Sequence, residues 1–545
     1  MNEGLEQTAG DLLTSCRPKW FRWGLRIFIA VCILWAMHYP LRMDRLFRAI
    51  PEYPLMGSYH RGLAREWKCL ARREDLMAML YAAGVEDALD WRDEEGIYQT
   101  LYWLTGRHTV FGLGLTQALE RDQISVYGAS HVGWKARPME LLWRMRWIPG
   151  LGRLEVTPSG TRYLVFRKSK TMRRMGLVLS LDIFEGMLLG VLSTNPDAVC
   201  ELTYRVRHDV EVSDVFCGDE APWSRSMTSP HRLWIPSRTT DGLDHRIGPW
   251  KADIASFAES SLRIEAWGAP NGMETLFVDR DRFGIAARLP GPAVAADAPF
   301  AAAIFSQSLI AELFAAASLP PVPEGATGSA SLFLSGKPYE GRVLGLALPA
   351  LSLRIPWPES VDPAPWFQAW VDALSRSGDL GPVLLRSHRT VDGREFRLLD
   401  AAKANVLGRP SDQDSVFLEQ SDGALILGSH LGSHLRQSVA GTSPERRFTV
   451  AENGATANAD AVAWLWMDFR RAYEEFRHAA AIYGMAARLS GSESALHADD
   501  LVGKALFGLY AATALGEATV TITPRGGSVG VLLETRPARK NAEGE

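Results

Sequence analysis

Two histidines four residues apart, His430 and His434 in GSHLGSHL, have a spacing that suits metal chemistry. On a helix such a pair shares one face, as the two imidazoles of a zinc-binding helix do. The motif lacks the glutamate of H-E-x-x-H, and no third ligand stands nearby in sequence. The plainer reading is a helix start with two solvent-facing imidazoles, so no metal or cofactor is expected.

A second grouping runs from residue 209 to residue 250. It joins Asp209, Glu211, Asp214, Asp219 and Glu220 to Trp223, Trp234, His231 and His245. Carboxylates beside tryptophans suit glycan binding, or glycoside hydrolysis by an acid and base pair such as Asp214, Asp219 or Glu220. Trp223, Trp234 and His231 are then the ligand-binding candidates. The plainer reading is a solvated acidic loop. No G-x-S-x-G, Walker loop, EF-hand loop, kinase signature or complete dinucleotide fingerprint is present. The five cysteines include no C-x-x-C. Cys200 and Cys217 are close enough in sequence for a disulfide, and free buried thiols are the alternative.

The elements that would position these residues repeat along the chain. SGTRYLVFRKS and GLVLSLDIFEGMLLGVLS, within 159–193, match DGREFRLLDA and SVFLEQSDGALILGSH, within 392–430, in pattern. Each has a strand-like run, then a hairpin around an acidic-Gly pair, Glu185-Gly186 or Asp422-Gly423. Each closes on a helix start, and each is preceded by a helix, ARPMELLWRMRW or PWFQAWVDAL. Openings of strand followed by amphipathic helix recur at 53–67, 298–314 and 461–476, and the last leads to a hairpin at 518–535. Eighteen tryptophans, among them Trp143, Trp147, Trp366, Trp370, Trp464 and Trp466, are expected in the core.

One segment concerns location. WGLRIFIAVCILWAMHYPL, residues 23–41, reaches about the length of a spanning helix, and Arg17, Lys19, Arg22 and Arg26 precede its apolar centre. It reads as a transmembrane signal anchor with the N-terminus in the cytoplasm. No A-x-A-like cleavage site follows it. The net charge of −4, with no long basic run after this segment, argues against nucleic acid as a partner.

With IPEYPLMGSYHRGLAREW, FEGMLLGVLSTNPDAV and SDGALILGSHLGSHL, the chain resembles a group of bacterial envelope proteins of unknown function. These have one N-terminal span and a large exported domain of repeated α+β lobes. The resemblance implies no reaction and no catalytic residue.

The expected fold is therefore α+β, an N-terminal transmembrane helix followed by tandem repeated lobes of antiparallel sheet with packed helices. Residues 1–22 are read as a cytoplasmic tail and 23–41 as the anchor. A first lobe covers 50–290 with an irregular insertion at 214–251, and a second lobe covers 291–455. An abbreviated third unit spans 456–535, and 536–545 form a disordered tail. The expected function is that of a single-pass inner-membrane protein whose bulk is periplasmic. It would act as a binding or scaffold module for lipid or an envelope protein. The alternative is an anchored glycan hydrolase using carboxylates in 209–220.

Overall fold

The computed structural model describes residues 19–37, 39–51, 54–70, 95–118, 121–148, 152–166, 170–208, 229–235, 250–254, 263–268, 299–316, 319–323, 329–336, 349–358, 360–376, 383–389, 393–401, 415–421, 423–439, 461–490, 493–525 and 528–536, with a few isolated positions between them. The chain divides into two compact units. Unit 1 comprises Met1–Lys68 and Asp93–Thr228, and unit 2 comprises Cys69–Arg92 and Ser229–Glu545.

The strands of the large sheet of unit 1 are β1 (Pro54–Arg61), β2 (His108–Ala118), β3 (Arg121–His131), β4 (Glu155–Val156), β5 (Arg162–Val165), β6 (Val178–Phe184) and β7 (Met187–Ser193). All pair antiparallel in the order β1-β2-β3-β7-β6-β5-β4. Its helices include α1 (Lys19–Met37), α2 (Ala136–Arg144) and α3 (Ala198–Arg207). Apolar residues three and four apart put Ala136, Met139 and Trp143 on the inner face of α2, against Leu154, Leu164, Leu181 and Leu188.

Unit 2 contributes β8 (His231–Ile235), β9 (Trp250–Ile254), β10 (Arg263–Gly268), β11 (Pro299–Ser306), β12 (Ser329–Ser335), β13 (Ala350–Pro356), β14 (Val383–Arg389), β15 (Glu395–Ala401), β16 (Phe417–Ser421), β17 (Ala424–Gly428), β18 (Ala463–Asp468), β19 (Glu517–Arg525) and β20 (Ser528–Arg536). Its helices include α4 (Gln307–Ala316), α5 (Ala364–Arg376), α6 (Leu431–Val439), α7 (Phe469–Ser490) and α8 (Glu493–Ala512). The pairing order is β14-β15-β16-β17-β13-β12-β11-β18-β19-β20-β10-β9-β8, again antiparallel throughout. The half from β11 to β14 has the same strand order as unit 1. β11 and β18 pair directly, from Ala301 opposite Met467 to Phe305 opposite Ala463, and join the two halves of this sheet. With a neighbour on each side, β11 reads PFAAAIFS, a nearly unbroken apolar run that is buried almost throughout. On the other half β20 pairs with β10, so the three strands at 231–268 extend the sheet begun by β18, β19 and β20.

Two expectations are corrected here. First, among the described residues no helix is long and apolar enough to cross a membrane. Residues 19–37 do form a helix, but Lys19, Arg22 and Arg26 occupy its first half. Its uninterrupted apolar run, 27–37, is about 16 Å long at 1.5 Å per residue, against a hydrocarbon layer of about 30 Å. The single-pass transmembrane signal anchor is therefore withdrawn. Second, the fold is not a row of separate sheet-and-helix lobes. Twenty strands among the described residues belong to large antiparallel sheet, seven in unit 1 and thirteen in unit 2. The cause in unit 2 is the β11–β18 pair. Each strand supplies the backbone donors and acceptors that the other would leave unpaired at an edge.

Candidate interaction face

The histidine pair flanks and enters the first turn of α6. The Nε2 atom of His434 lies 2.7 Å from Glu419 Oε2, and Arg394 Nε donates to Glu419 Oε1 at 2.7 Å. Glu419, on β16, is 2% exposed, and the His434 ring packs against Phe417 with centroids 4.8 Å apart. His430 instead meets Ser429 Oγ through Nδ1 at 2.8 Å. The two imidazoles thus serve different partners. Among the described residues no group of three or more His, Cys, Asp or Glu is arranged to hold a metal. The cluster ties α6 to the sheet by neutralising a buried carboxylate. Glu419 and Arg394 escaped the sequence reading because they stand 15 and 40 residues before His434.

Asp214, Asp219, Glu220 and Trp223 lie outside the described residues, as do Asp209, Glu211 and His245. His231 and Trp234 are on β8, and both side chains are buried rather than set around an open cleft. Cys200 is a free, exposed thiol beside Thr161 Oγ1 at 3.2 Å, and Cys217 is outside the described residues.

Two polar clusters in unit 1 were not foreseen. The Tyr59 hydroxyl on β1 and His108 Nδ1 on β2 share a hydrogen bond at 2.7 Å. Burial first, then Arg107, Arg61 and His131, lower the His108 pKa to about 4, while burial raises that of Tyr59. At neutral pH both groups of this pair are uncharged. Asp197, just before α3, accepts from Ser159 Oγ at 2.6 Å and Thr157 Oγ1 at 3.0 Å. Hydrogen bonds from Ser159, Thr161 and Thr157 hold its carboxyl below the usual range.

The stretch Trp134–Trp147, which contains α2, carries several exposed apolar side chains. While Met139 and Trp143 point inward, Trp134, Leu141, Met145 and Trp147 remain 50%, 60%, 62% and 46% exposed. Trp147 thus departs from the core position expected of it. Arg137, Arg144 and Arg146 are exposed among these residues. Glu140 is the acidic side chain between them, and it pairs with Arg137 at 3.2 Å. The Arg137 guanidinium also covers the Tyr39 ring at 5.3 Å. Helix α1 touches the turn Gly133–Lys135 that leads into α2. Its Trp23, Leu25, Ile27, Phe28, Ile29, Val31 and Ile33 are exposed.

At the foot of this face is a cavity of about 290 Å³ lined by Tyr39, Pro40, Arg42, Arg45, Glu185 and Met187. Arg45 pairs with Glu185 and lies over the Phe184 ring at 5.8 Å, and Arg207 covers the same ring at 5.3 Å. Glu185 and Gly186 form the two-residue loop between β6 and β7, with φ of 46° and 80°. A Cβ on Gly186 would lie 2.4 Å from the Tyr39 side chain, so glycine permits both the turn and this contact.

No protein-family model and no curated protein matches the chain. Among solved structures, crystal form I of TP0453 aligns at 8% identity over 73% of this chain and 96% of that one, with a TM-score of 0.18. Crystal form III aligns at 7% identity over 72% and 97%, with a TM-score of 0.20. Likeness at these scores carries no argument about fold or function.

Proposed function

We propose that the chain is a binding or scaffold module of the bacterial envelope, extracytoplasmic in its bulk, whose unit 1 docks on an anionic lipid surface. The observation that carries this reading is the stretch Trp134–Trp147, in which Trp134 in the turn before α2, Leu141 on the helix, and Met145 and Trp147 after it are exposed, with exposed Arg137, Arg144 and Arg146 among them. Aromatic and aliphatic side chains enter the headgroup region while arginines remain at its charged surface. Each basic residue near an anionic surface contributes about 1 kcal/mol, so the three arginines, one of them offset by Glu140, supply about 2 kcal/mol before apolar contact is added. No membrane crossing is part of this reading. The cavity at the foot of the face is lined by charged residues as well as Tyr39 and Met187, which favours lipid contact at a surface over lipid storage inside a lobe.

Vesicle co-sedimentation tests the reading. The protein should sediment with phosphatidylcholine vesicles that contain phosphatidylglycerol, less with phosphatidylcholine alone, and less again as salt rises. Leu141→Glu with Met145→Glu should abolish sedimentation without lowering the unfolding midpoint, because both side chains are exposed. Equal binding by the double variant and the parent would refute the reading.

A further inference from the structure

We infer that the cavity between Tyr39 and Glu185 is a site for a phosphate group, the anionic part of a phospholipid headgroup. This deepens the lipid-surface reading and rests on it for the source of the phosphate.

The lining provides two guanidinium groups, Arg42 and Arg45, against one carboxylate, Glu185. Arg45 is held by Glu185, whereas the Arg42 guanidinium makes no hydrogen bond or ion pair among the described residues. A guanidinium presents parallel N–H donors that match the oxygens of a phosphate. Further cations stand nearby: Arg137 is stacked on Tyr39, and Arg207 on Phe184, beside Glu185. Asp182 offsets Arg207 at 4.0 Å. The volume of about 290 Å³ is far beyond the roughly 30 Å³ of one water and near the lower end for ligand pockets. It suits a headgroup, not a whole lipid.

Placement supplies the second argument. Tyr39 and Pro40 follow α1 directly, and Tyr39 lies under Arg137 of α2. A phosphate between Arg42 and Arg45 would thus sit in the cavity that Tyr39 lines, beside the end of α1 and the ring that Arg137 of α2 covers. Glu185 is an internal competitor, because a ligand must displace it from Arg45. Its side chain is 51% exposed, so it can turn to water when displaced. Competition with a carboxylate favours a phosphate monoester, with its greater charge, over a diester.

The test compares the parent with Arg42→Gln, Glu185→Gln and Arg173→Gln, the last removing one exposed arginine of unit 1 that does not line the cavity. Each is titrated with inorganic phosphate and with phosphatidylcholine vesicles containing phosphatidic acid. Loss of one charged hydrogen-bond partner should weaken both interactions about tenfold in Arg42→Gln. Arg173→Gln should stay within about twofold in the phosphate titration, and Glu185→Gln should bind phosphate more tightly than the parent. Equal phosphate affinity of Arg42→Gln and Arg173→Gln, or weaker phosphate binding by Glu185→Gln, overturns the site. Phosphate binding that depends on Arg42, with no sedimentation on any anionic vesicle, keeps the site and overturns the lipid-surface reading.

Discussion

Acidification should loosen unit 1 through His108. Its folded-state pKa of about 4 lies below the ordinary value of 6.5. Between these two values the unfolded chain binds a proton at this ring and the folded chain does not. The contribution is therefore fully present above pH 6.5 and is lost as pH falls towards 4. A shift of this size corresponds to about 3 kcal/mol if fully expressed. The ring is only half-buried, with Arg107 and Arg61 screened by water, so about 1–2 kcal/mol is the expected loss. His108→Asn isolates the effect, because the amide oxygen can accept from Tyr59 and does not titrate. The assay is urea unfolding at a series of pH values, followed by hydrogen exchange in peptides covering β1 and β2. The stability difference between parent and variant should fall by about 1–2 kcal/mol between pH 6.5 and 4. Parallel curves over that range, or a His108 midpoint at 6.5 by NMR, would refute the reasoning.

Other expectations follow from the same geometry. Glu419→Gln removes a buried carboxylate from between Arg394 and His434 and should cost unit 2 about 2–3 kcal/mol in urea unfolding; a loss below about 1 kcal/mol would show that the cluster contributes little. Gly186→Ala and Gly423→Ala occupy equivalent hairpin loops, both with positive φ, yet only the first added Cβ meets a neighbour, Tyr39. Gly423→Ala should cost about 1 kcal/mol and Gly186→Ala clearly more; equal shifts in the unfolding midpoint would deny the Tyr39 contact. Gly106→Ala should prevent folding of unit 1, since its Cβ would fall 1.6 Å from the His131 carbonyl oxygen, and a soluble variant with the parental melting curve would contradict that packing.

Much of the local structure was legible. Glu185-Gly186 joins strands paired as Phe184 with Met187, and Gly423, with positive φ, stands where Ser421 pairs with Ala424, while Asp422 lies outside the described residues. An acidic residue followed by glycine satisfies a turn that needs positive φ. The helical spacing read at 136–147 and 365–374 was likewise visible, and helices form at Ala136–Arg144 and Ala364–Arg376, because side chains three and four apart must share a face. The candidate sites were much less legible. His434 was visible, but its partners were not, because a salt bridge across strands leaves no fixed spacing in the chain. The exposed residues in and around α2 were hidden because Trp143 and Trp147 look alike in sequence, and only the first points inward.

The amino-acid sequence by itself determined where strands, turns and helices form, since hydrophobic period, glycine and capping act over a few residues. It also showed an apolar run at 27–37, although it placed the helix at 23–41 and the structure has it at Lys19–Met37. Only the tertiary structure decided which strand edges meet, that β11 joins β18 and that β10 joins β20. It alone placed Arg42, Arg45 and Glu185 around one cavity, with Arg137 stacked on the Tyr39 that helps line it. Strand pairing and ion clusters depend on contacts between residues tens to hundreds of positions apart, and a one-dimensional pattern holds no record of those distances.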